Sequence, residues 1–273
     1  MRGPRELFEH EDHWATRMGK WFPGERTVFR GRDLHRAFAS RQWMELYVYS
    51  ITGRDFTPNQ IELLNSMWVY TSYPDPRLWN NRVAALAGTA RSTGTLGLSA
   101  ALAVSEATVY GRRPDIRAIS FLRRASRAIS EGETLAELVD RELRRFRALP
   151  GYGRPVVDED ERIFHLRDRA RELELDGGRY VALAFEVENH LRLTRRRRLY
   201  MNYTALTAAI CADMGFSPEE YYLVAYPVFL SGMIPCWLEA NQRGEGTFLP
   251  ISCRRVAYRG PGQRPWCSGG DPL

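Results

Sequence analysis

The stretch Pro150-Gly151-Tyr152-Gly153-Arg154 has the residue types and the spacing of a ligand-binding loop. Two glycines flanking one aromatic residue allow a backbone to approach a bound molecule closely. Arginine can donate hydrogen bonds to a carbonyl or a carboxylate, but it stays protonated and cannot act as a base. We therefore predict that Gly151, Tyr152 and Gly153 contact a cofactor. Arg154 is predicted to be a donor to the substrate, with a solvated surface charge as the alternative.

Four consecutive arginines, Arg195, Arg196, Arg197 and Arg198, are the strongest electrostatic feature of the sequence. Guanidinium groups suit phosphate because they can donate two parallel hydrogen bonds. The run therefore indicates a phosphate-bearing cofactor, and a solvated helix end is the alternative. Nucleic acid is not a predicted partner, because the sequence has no recognised nucleic-acid-binding motif and its 39 basic residues are offset by 33 acidic ones.

Two further side chains could take part in acid–base or oxyanion chemistry. Glu106 lies in an apolar run, and burial there would raise the pKa of its carboxyl towards neutrality. The alternative is a helix-end residue that faces solvent or pairs with Arg112 or Arg113. Thr204 could donate a hydrogen bond to an oxyanion, although a threonine in a helix more often bonds to its own backbone.

The elements that must position these residues are mostly helical. Pro23-Gly24 and the β-branched residues after it predict a short hairpin, and Thr57-Pro58 predicts a helix start. Ser130 and Glu133 have the spacing of a capping box. Two helices rich in small residues are predicted over 79–109, and an amphipathic helix over 161–175. A charged helix is predicted from 180, and further helices in the apolar region over 202–242.

Composition and charge set broad limits. The chain has 273 residues, 44% of them hydrophobic and 26% charged, as is ordinary for a globular protein. The net charge of +6 favours anionic ligands only weakly. No apolar run is expected to cross a membrane, and the amino end lacks the apolar core of a signal peptide. The four cysteines and five histidines show no metal-ligand spacing, so we expect reduced thiols, no metal and a cytoplasmic protein.

Six separated segments, in order, resemble motifs of the citrate synthases and citryl-CoA lyases. They are GERTVFRGRDL, the Asn81-Arg82-Val83-Ala84-Ala85 helix opening, PGYG, NYTALTAAICADMGFSPEEYY, SGMIPCWLE and VAYRGP. The resemblance covers most of the chain. It implies an all-α fold with a large domain over 1–107 and 200–273, into which a small domain over 108–199 is inserted. It also implies a homodimer with a coenzyme A thioester bound in the cleft between the domains.

The resemblance also implies catalytic positions, and all of them are substituted here. The family's ketone-binding histidine corresponds to Arg154, and its proton-abstracting aspartate corresponds to Thr204. The histidine that polarises the thioester falls near Glu106. Asn202 holds the family's asparagine.

The family's substrate-carboxylate contacts are altered as well. Tyr73 replaces part of an Asp-His-Glu motif and is a candidate substrate contact. Arg162 resembles a retained carboxylate ligand, and Arg254 lies beside the position of another. Phe229 stands where the family has a further arginine.

The sequence therefore predicts a divergent enzyme that makes or breaks a carbon–carbon bond with an acyl-CoA or a related activated acid. Its substrate would be a small molecule that is less anionic than oxaloacetate, in a specialised biosynthetic pathway. Glu106, Arg154 and Thr204 are the candidate catalytic residues. Asn202, Arg162, Arg254 and Tyr73 are the candidate substrate contacts. Two alternatives stay open: a non-catalytic dimeric relative, and an enzyme on the same fold that no longer uses coenzyme A.

Overall fold

The computed structural model of this chain describes residues 5–13, 15–108, 110–146, 148–154, 159–194, 199–247 and 253–263. Within these ranges the chain is helical apart from one small sheet, which confirms the predicted all-α class. The helices are α1 (Arg5–Glu9), α2 (Leu34–Ala37), α3 (Trp43–Thr52), α4 (Pro58–Thr71), α5 (Trp79–Thr89), α6 (Gly94–Val104), α7 (Arg112–Ser130), α8 (Leu135–Phe146), α9 (Glu161–Glu172), α10 (Arg179–Leu193), α11 (Tyr203–Asp213), α12 (Pro218–Ala225) and α13 (Leu230–Gln242).

The predicted amino-terminal hairpin is present and carries a third, short strand. Strand β1 (Gly19–Phe22) pairs antiparallel with β2 (Arg26–Phe29), in a register that places Phe22 opposite Arg26. Strand β3 (Arg32–Asp33) then pairs antiparallel with β2. The Asp33 side chain accepts a hydrogen bond from the backbone of α2, so the sheet leads directly into the helical part of the chain.

Helix starts follow the capping residues of the sequence. Thr57 caps α4, with Pro58 in the first turn, as predicted. The predicted capping box at Ser130 and Glu133 is wrong, because α7 continues through Ser130. The capping contacts lie four residues further on, where Thr134 accepts a hydrogen bond from the Glu137 backbone and donates one to its side chain.

The main core surrounds α11, which is buried along almost its whole length. Its small side chains, such as Ala205 and Ala208, let α7 and α10 pack closely against it. A second layer is formed by α5, α6 and α13, whose contact is made by Ala84, Ala101 and Met233. The main core contains side chains from both predicted domains, and the division into 1–107 with 200–273 and 108–199 stays a prediction.

The expectation that no apolar run would be long enough for a membrane span needs a correction. Pro218–Gln242 passes that test by length and composition, with a mean hydropathy of 1.4 over 18 residues. A third of that window is buried inside the structure. The segment is divided by the turn between α12 and α13. The first helix packs on α3 and α7, and the second on α5 and α6.

The loop that precedes α9 crosses the start of α11 at very short range. Gly151 has a positive φ of 88°, and a Cβ atom added there would lie 2.6 Å from the Ala205 Cβ. Both observations require a residue without a side chain, because L-residues are strained at this φ and the neighbouring helix is rigid. Gly151 therefore sets how closely the loop lies on α11.

We predict that Gly151→Ala lowers the free energy of unfolding by about 1–3 kcal/mol, through backbone strain and the clash with Ala205. Denaturant titration would measure the effect. Gly177→Ala is the matched control, because a Cβ there meets nothing within 4 Å and Gly177 has no positive φ. Equal stability of the two variants would contradict the close approach.

Candidate active site

A cavity of about 370 Å³ lies where the amino ends of α7, α9 and α11 converge with the turn between α12 and α13. This volume is within the range of small-molecule sites. Six of the residues predicted from the sequence line it: Tyr73, Gly153, Arg154, Arg162, Asn202 and Thr204. The cavity is therefore the candidate active site.

One rim of the cavity is a backbone junction between the glycine loop and the start of α11. Asn202 N–H donates to the Gly151 carbonyl at 2.9 Å, and its side-chain Nδ2 donates to the Gly153 carbonyl at 2.9 Å. The side-chain oxygen of Asn202 accepts from Thr204 N–H at 3.0 Å and caps α11. The backbone N–H and both polar side-chain atoms of Asn202 thus take part in hydrogen bonds that join the glycine loop to α11.

Tyr152 anchors this loop from below. Its side chain is only 5% exposed and lies in the main core, where its hydroxyl donates to the Ala184 carbonyl at 2.8 Å. Neither Tyr152 nor Gly151 belongs to the cavity lining. The aromatic residue therefore fixes the loop, and Gly153 is the loop glycine that lines the cavity, while contact of Gly151 and Tyr152 with a cofactor stays a prediction.

A buried ion pair lies at the start of α7. Arg112 Nη2 lies 3.2 Å from Asp115 Oδ2, and both side chains are less than a tenth exposed. Thr204 donates its hydroxyl proton to the other Asp115 oxygen at 3.0 Å. Burial raises the pKa of Asp115, and the positive charge of Arg112 and the Thr204 hydrogen bond offset part of that increase.

Arg112 itself has three kinds of contact. Beyond Asp115, it donates to the Ala225 carbonyl, and its guanidinium lies 4.6 Å from the centre of the Phe229 ring. Its Nε is buried and has no hydrogen-bond partner among the described residues. Such an unsatisfied donor is uncommon in a protein interior.

A second ion pair, between Arg162 and Asp160, is bidentate. Arg162 donates from Nε at 2.8 Å and from Nη2 at 2.7 Å, one bond to each carboxylate oxygen. Asp160 also accepts from the Tyr203 backbone N–H at 2.9 Å. Burial works against ionisation of Asp160, but the Arg162 contacts outweigh it and lower the pKa of this carboxyl. Asp160 is therefore a charged anchor.

Arg154 forms a third pair, at the mouth of the cavity. It donates to Glu161 Oε2 at 2.6 Å, and Tyr73 donates its hydroxyl proton to Glu161 Oε1 at 2.7 Å. Desolvation of Glu161 is outweighed by these two hydrogen bonds, which bring its pKa down to about 2. Arg154 and Tyr73 meet at one carboxylate of the protein.

The wall opposite the loop is aromatic. Phe229 stacks on Tyr110, with ring centres 5.7 Å apart and planes inclined by 10°. Burial raises the pKa of Tyr110 to about 12, and its hydroxyl donates to Asn80 at 2.9 Å. Phe229 and Tyr110 thus make this part of the cavity lining aromatic, with Arg112 packed on the Phe229 ring.

Two further predicted residues lie outside the cavity lining, and one predicted group falls outside the described residues. Glu106 is exposed, outside the lining, and accepts a hydrogen bond from the Tyr222 hydroxyl at 2.9 Å. It therefore lacks the burial on which its predicted acid–base role depended. Arg254 is exposed in a 3-10 turn and does not line the cavity either. Arg195, Arg196, Arg197 and Arg198 lie outside the described residues.

Sequence reasoning missed Arg112, Asp115 and Asp160. The first two are three residues apart at a helix start, and an ion pair at that spacing is usually an exposed one. Asp160 caps the start of α9, and an aspartate just before a predicted helix could have been identified as its cap from the sequence. No group of three metal-binding side chains occurs within the part of the chain that the structure describes.

Comparisons with known proteins agree on one family. The family model of the citrate synthase C-terminal domain matches residues 26–245. The citryl-CoA lyase of Hydrogenobacter thermophilus is similar over 93% of this chain and 97% of its own, with a TM-score of 0.80 and 20% identity. No curated protein sequence matches the chain.

Two other solved structures are longer than this chain. The ATP citrate lyase of Methanothrix soehngenii, in complex with citrate and coenzyme A, aligns over 96% of this chain and 45% of its own, with a TM-score of 0.76 and 16% identity. The citrate synthase of Thermoplasma acidophilum aligns over 84% of this chain and 60% of its own, with a TM-score of 0.66 and 17% identity. At these identities the likeness establishes the fold.

The buried pair generates a stability prediction. Asp115→Asn leaves the Arg112 charge buried without a counter-ion, which should cost about 3–5 kcal/mol of unfolding free energy. Adding Arg112→Met removes that charge and should recover most of the loss. Denaturant titration of the wild type, both single variants and the double variant would measure the coupling.

A matched control lies at the other end of α7. Arg127 and Glu131 form an exposed pair at 2.9 Å, so Glu131→Gln should cost less than about 1 kcal/mol. A double variant no more stable than Asp115→Asn would show that the lost charge is not the source of the damage.

Proposed function

We infer a function from the premise that this chain belongs to the citrate synthase family, whose C-terminal-domain model matches it over residues 26–245. We propose that it is a cytoplasmic enzyme that makes or breaks a carbon–carbon bond with a coenzyme A thioester and a small-molecule partner. The substrate at the carbonyl-bearing end is less anionic than oxaloacetate. The reaction is not ordinary citrate synthesis.

The observation that carries this proposal is the pairing of every cavity-lining arginine with a carboxylate of the protein. Arg112 faces Asp115, Arg162 faces Asp160, and Arg154 faces Glu161. These pairs leave little net positive charge for a substrate with two or three carboxylates. A ligand carboxylate would have to displace a hydrogen-bonded partner, and breaking a buried pair costs several kcal/mol, on the order of 3–5.

The aromatic wall supports the same substrate class. Phe229 occupies the position that the resemblance gives to a substrate-binding arginine, and it stacks on Tyr110. An apolar or planar group fits against this aromatic wall better than a carboxylate does, because burying an unpaired charge there would be costly. The acceptor therefore carries an apolar or aromatic group at this end.

The coenzyme end of the proposal rests on the family premise and on two sequence features. The backbone around Gly153 reaches the cavity, and the run from Arg195 to Arg198 has the residue type that binds phosphates. The structurally similar proteins include a citryl-CoA lyase and an ATP citrate lyase in complex with citrate and coenzyme A. We propose that this chain binds acetyl-CoA or a close relative.

Calorimetric titration with acetyl-CoA should give saturable binding to the wild-type protein. The paired change Arg196→Ala with Arg197→Ala should weaken it at least about tenfold, if each lost phosphate contact is worth more than about 1 kcal/mol.

The matched control changes Arg144→Ala with Arg145→Ala, which removes the same charge from the end of α8. Weakening by both pairs alike would indicate a general charge effect. No binding to the wild type would remove coenzyme A from the mechanism and favour an enzyme that does not use it, or a non-catalytic relative.

We also propose that the chain forms a homodimer through the layer of α5, α6 and α13. Leu96, Ile234 and Leu238 are between 41% and 66% exposed on this layer. Ile234 and Leu238 are four residues apart and share one face of α13. Apolar residues concentrated on a packed helical layer are typical of an interface between subunits.

Light scattering should give a mass near twice the 31.5 kDa of one chain. Ile234→Asp with Leu238→Asp should convert the dimer to a monomer, because charges in an apolar interface core are strongly unfavourable. Phe164→Asp, at a residue 67% exposed on α9, is the control that should leave the mass unchanged. A wild-type monomer would contradict the proposal.

A further inference from the structure

Few groups in the cavity can accept a proton near neutral pH. Arginine cannot, because it stays protonated. Burial raises the pKa of Tyr73 and Tyr110 to about 12, and it also raises the pKa of Tyr203 and Tyr221, so these hydroxyls hold their protons. Neither histidine nor cysteine lines the cavity among the described residues. Two carboxylates remain, Asp115 and Asp160.

Asp160 is a poor proton acceptor because its oxygens are already occupied. They accept two bonds from the Arg162 side chain and one from Tyr203 N–H, and Arg154 Nη1 lies 3.7 Å away. Protonation would have to break a bidentate pair. Its lowered pKa follows from the same contacts.

Asp115 is in the opposite situation. It accepts one hydrogen bond, from Thr204, and its ion-pair contact with Arg112 is longer, at 3.2 Å. It is 6% exposed and lines the cavity. The polar and charged groups that act on it are Arg112 on α7, Thr204 and Cys211 on α11, Tyr221 on α12, Arg162 on α9, and Glu106 and Tyr110 in the loop before α7.

We propose that Asp115 is the base of this site, which takes a proton from the carbon next to the thioester carbonyl of a bound acyl-CoA. This inference rests on the proposed function. The C–H bond breaks, its electron pair forms the enolate, and the proton moves to a carboxylate oxygen of Asp115. The enolate carbon then bonds to the carbonyl carbon of the acceptor as the C=O π bond breaks and its electron pair moves to oxygen. This alkoxide takes a proton from water, and Asp115 releases its proton to water, so that protons balance over the cycle. No oxidant or reductant is needed.

Arg112 and Thr204 are positioning residues in this arrangement. Thr204 occupies one carboxylate oxygen and fixes the rotation of the carboxyl group. The positive charge of Arg112 lowers the pKa of Asp115 and so opposes the desolvation that favours the neutral acid. Its unpartnered Nε also distinguishes this pair from Asp160–Arg162, in which Nε and Nη2 both donate to the carboxylate.

Deuterium exchange tests the base without the full reaction. The protein is incubated with acetyl-CoA in D₂O, alone and with acetone, a neutral ketone, at the acceptor end. Deuterium in the acetyl methyl group is then followed by mass spectrometry. Calorimetric binding of acetyl-CoA to each protein shows that it is folded, and Glu131→Gln on the exposed end of α7 is the control expected to exchange at the wild-type rate.

The decisive comparison is Arg112→Met against the double variant Arg112→Met with Asp115→Asn, since neither has an unpaired buried cation. The double variant should exchange at least about a hundredfold more slowly, as expected when a general base is lost. Arg112→Met should keep exchange but move the midpoint of its rise with pH upwards, because removing the positive charge stabilises the protonated acid.

Equal exchange in these two variants, or an unchanged pH midpoint, would overturn the role of Asp115. Binding of acetyl-CoA to the wild type with no exchange, alone or with acetone, would overturn it too and leave coenzyme A binding intact. No binding of acetyl-CoA at all would overturn the proposed function, and this inference with it.

Discussion

Three arginines and three carboxylates lie in or beside one cavity, and each arginine is paired with one of the carboxylates. The need to pair these charges constrains the rest of the site. Arg112 and Arg162 are less than a fifth exposed, so each must have a partner close by. The partners come from the protein itself, at the starts of α7 and α9. Both helix starts are therefore held against α11, through Thr204 in one case and the backbone of Tyr203 in the other.

The two buried pairs consist of the same residue types, but the pKa of the carboxyl is lowered in one and raised in the other. Asp160 receives two short charge-assisted bonds and a backbone N–H, which together exceed its desolvation, so its pKa falls. Asp115 is buried to a similar degree but has one hydroxyl donor and a longer contact with Arg112, so its pKa rises. The number and length of the donated bonds, more than the presence of an arginine, separate the carboxyl whose pKa is lowered from the one whose pKa is raised.

The sequence predicted the fold and the glycine loop because both depend on local patterns. Gly151 and Gly153 were recognisable from their spacing, and the backbone conformation of each is one that favours glycine. The roles of Tyr152 and Glu106 could not be predicted, since burial of a ring or exposure of a carboxylate is decided by distant neighbours. Asp115 was missed for the same reason: its partner Thr204 lies 89 residues away in the chain.

The substitutions in this chain are consistent with one another in physical terms. A site that binds several substrate carboxylates needs arginines without internal partners. Such positive charges would lower the pKa of a nearby carboxyl and make its carboxylate a weaker base. Here Phe229 faces the cavity in place of a cation, and the remaining arginines are paired. The low polarity that disfavours a dicarboxylate ligand is the same property that raises the pKa of Asp115. The proposed less anionic substrate and the raised pKa of Asp115 would thus both follow from one environment.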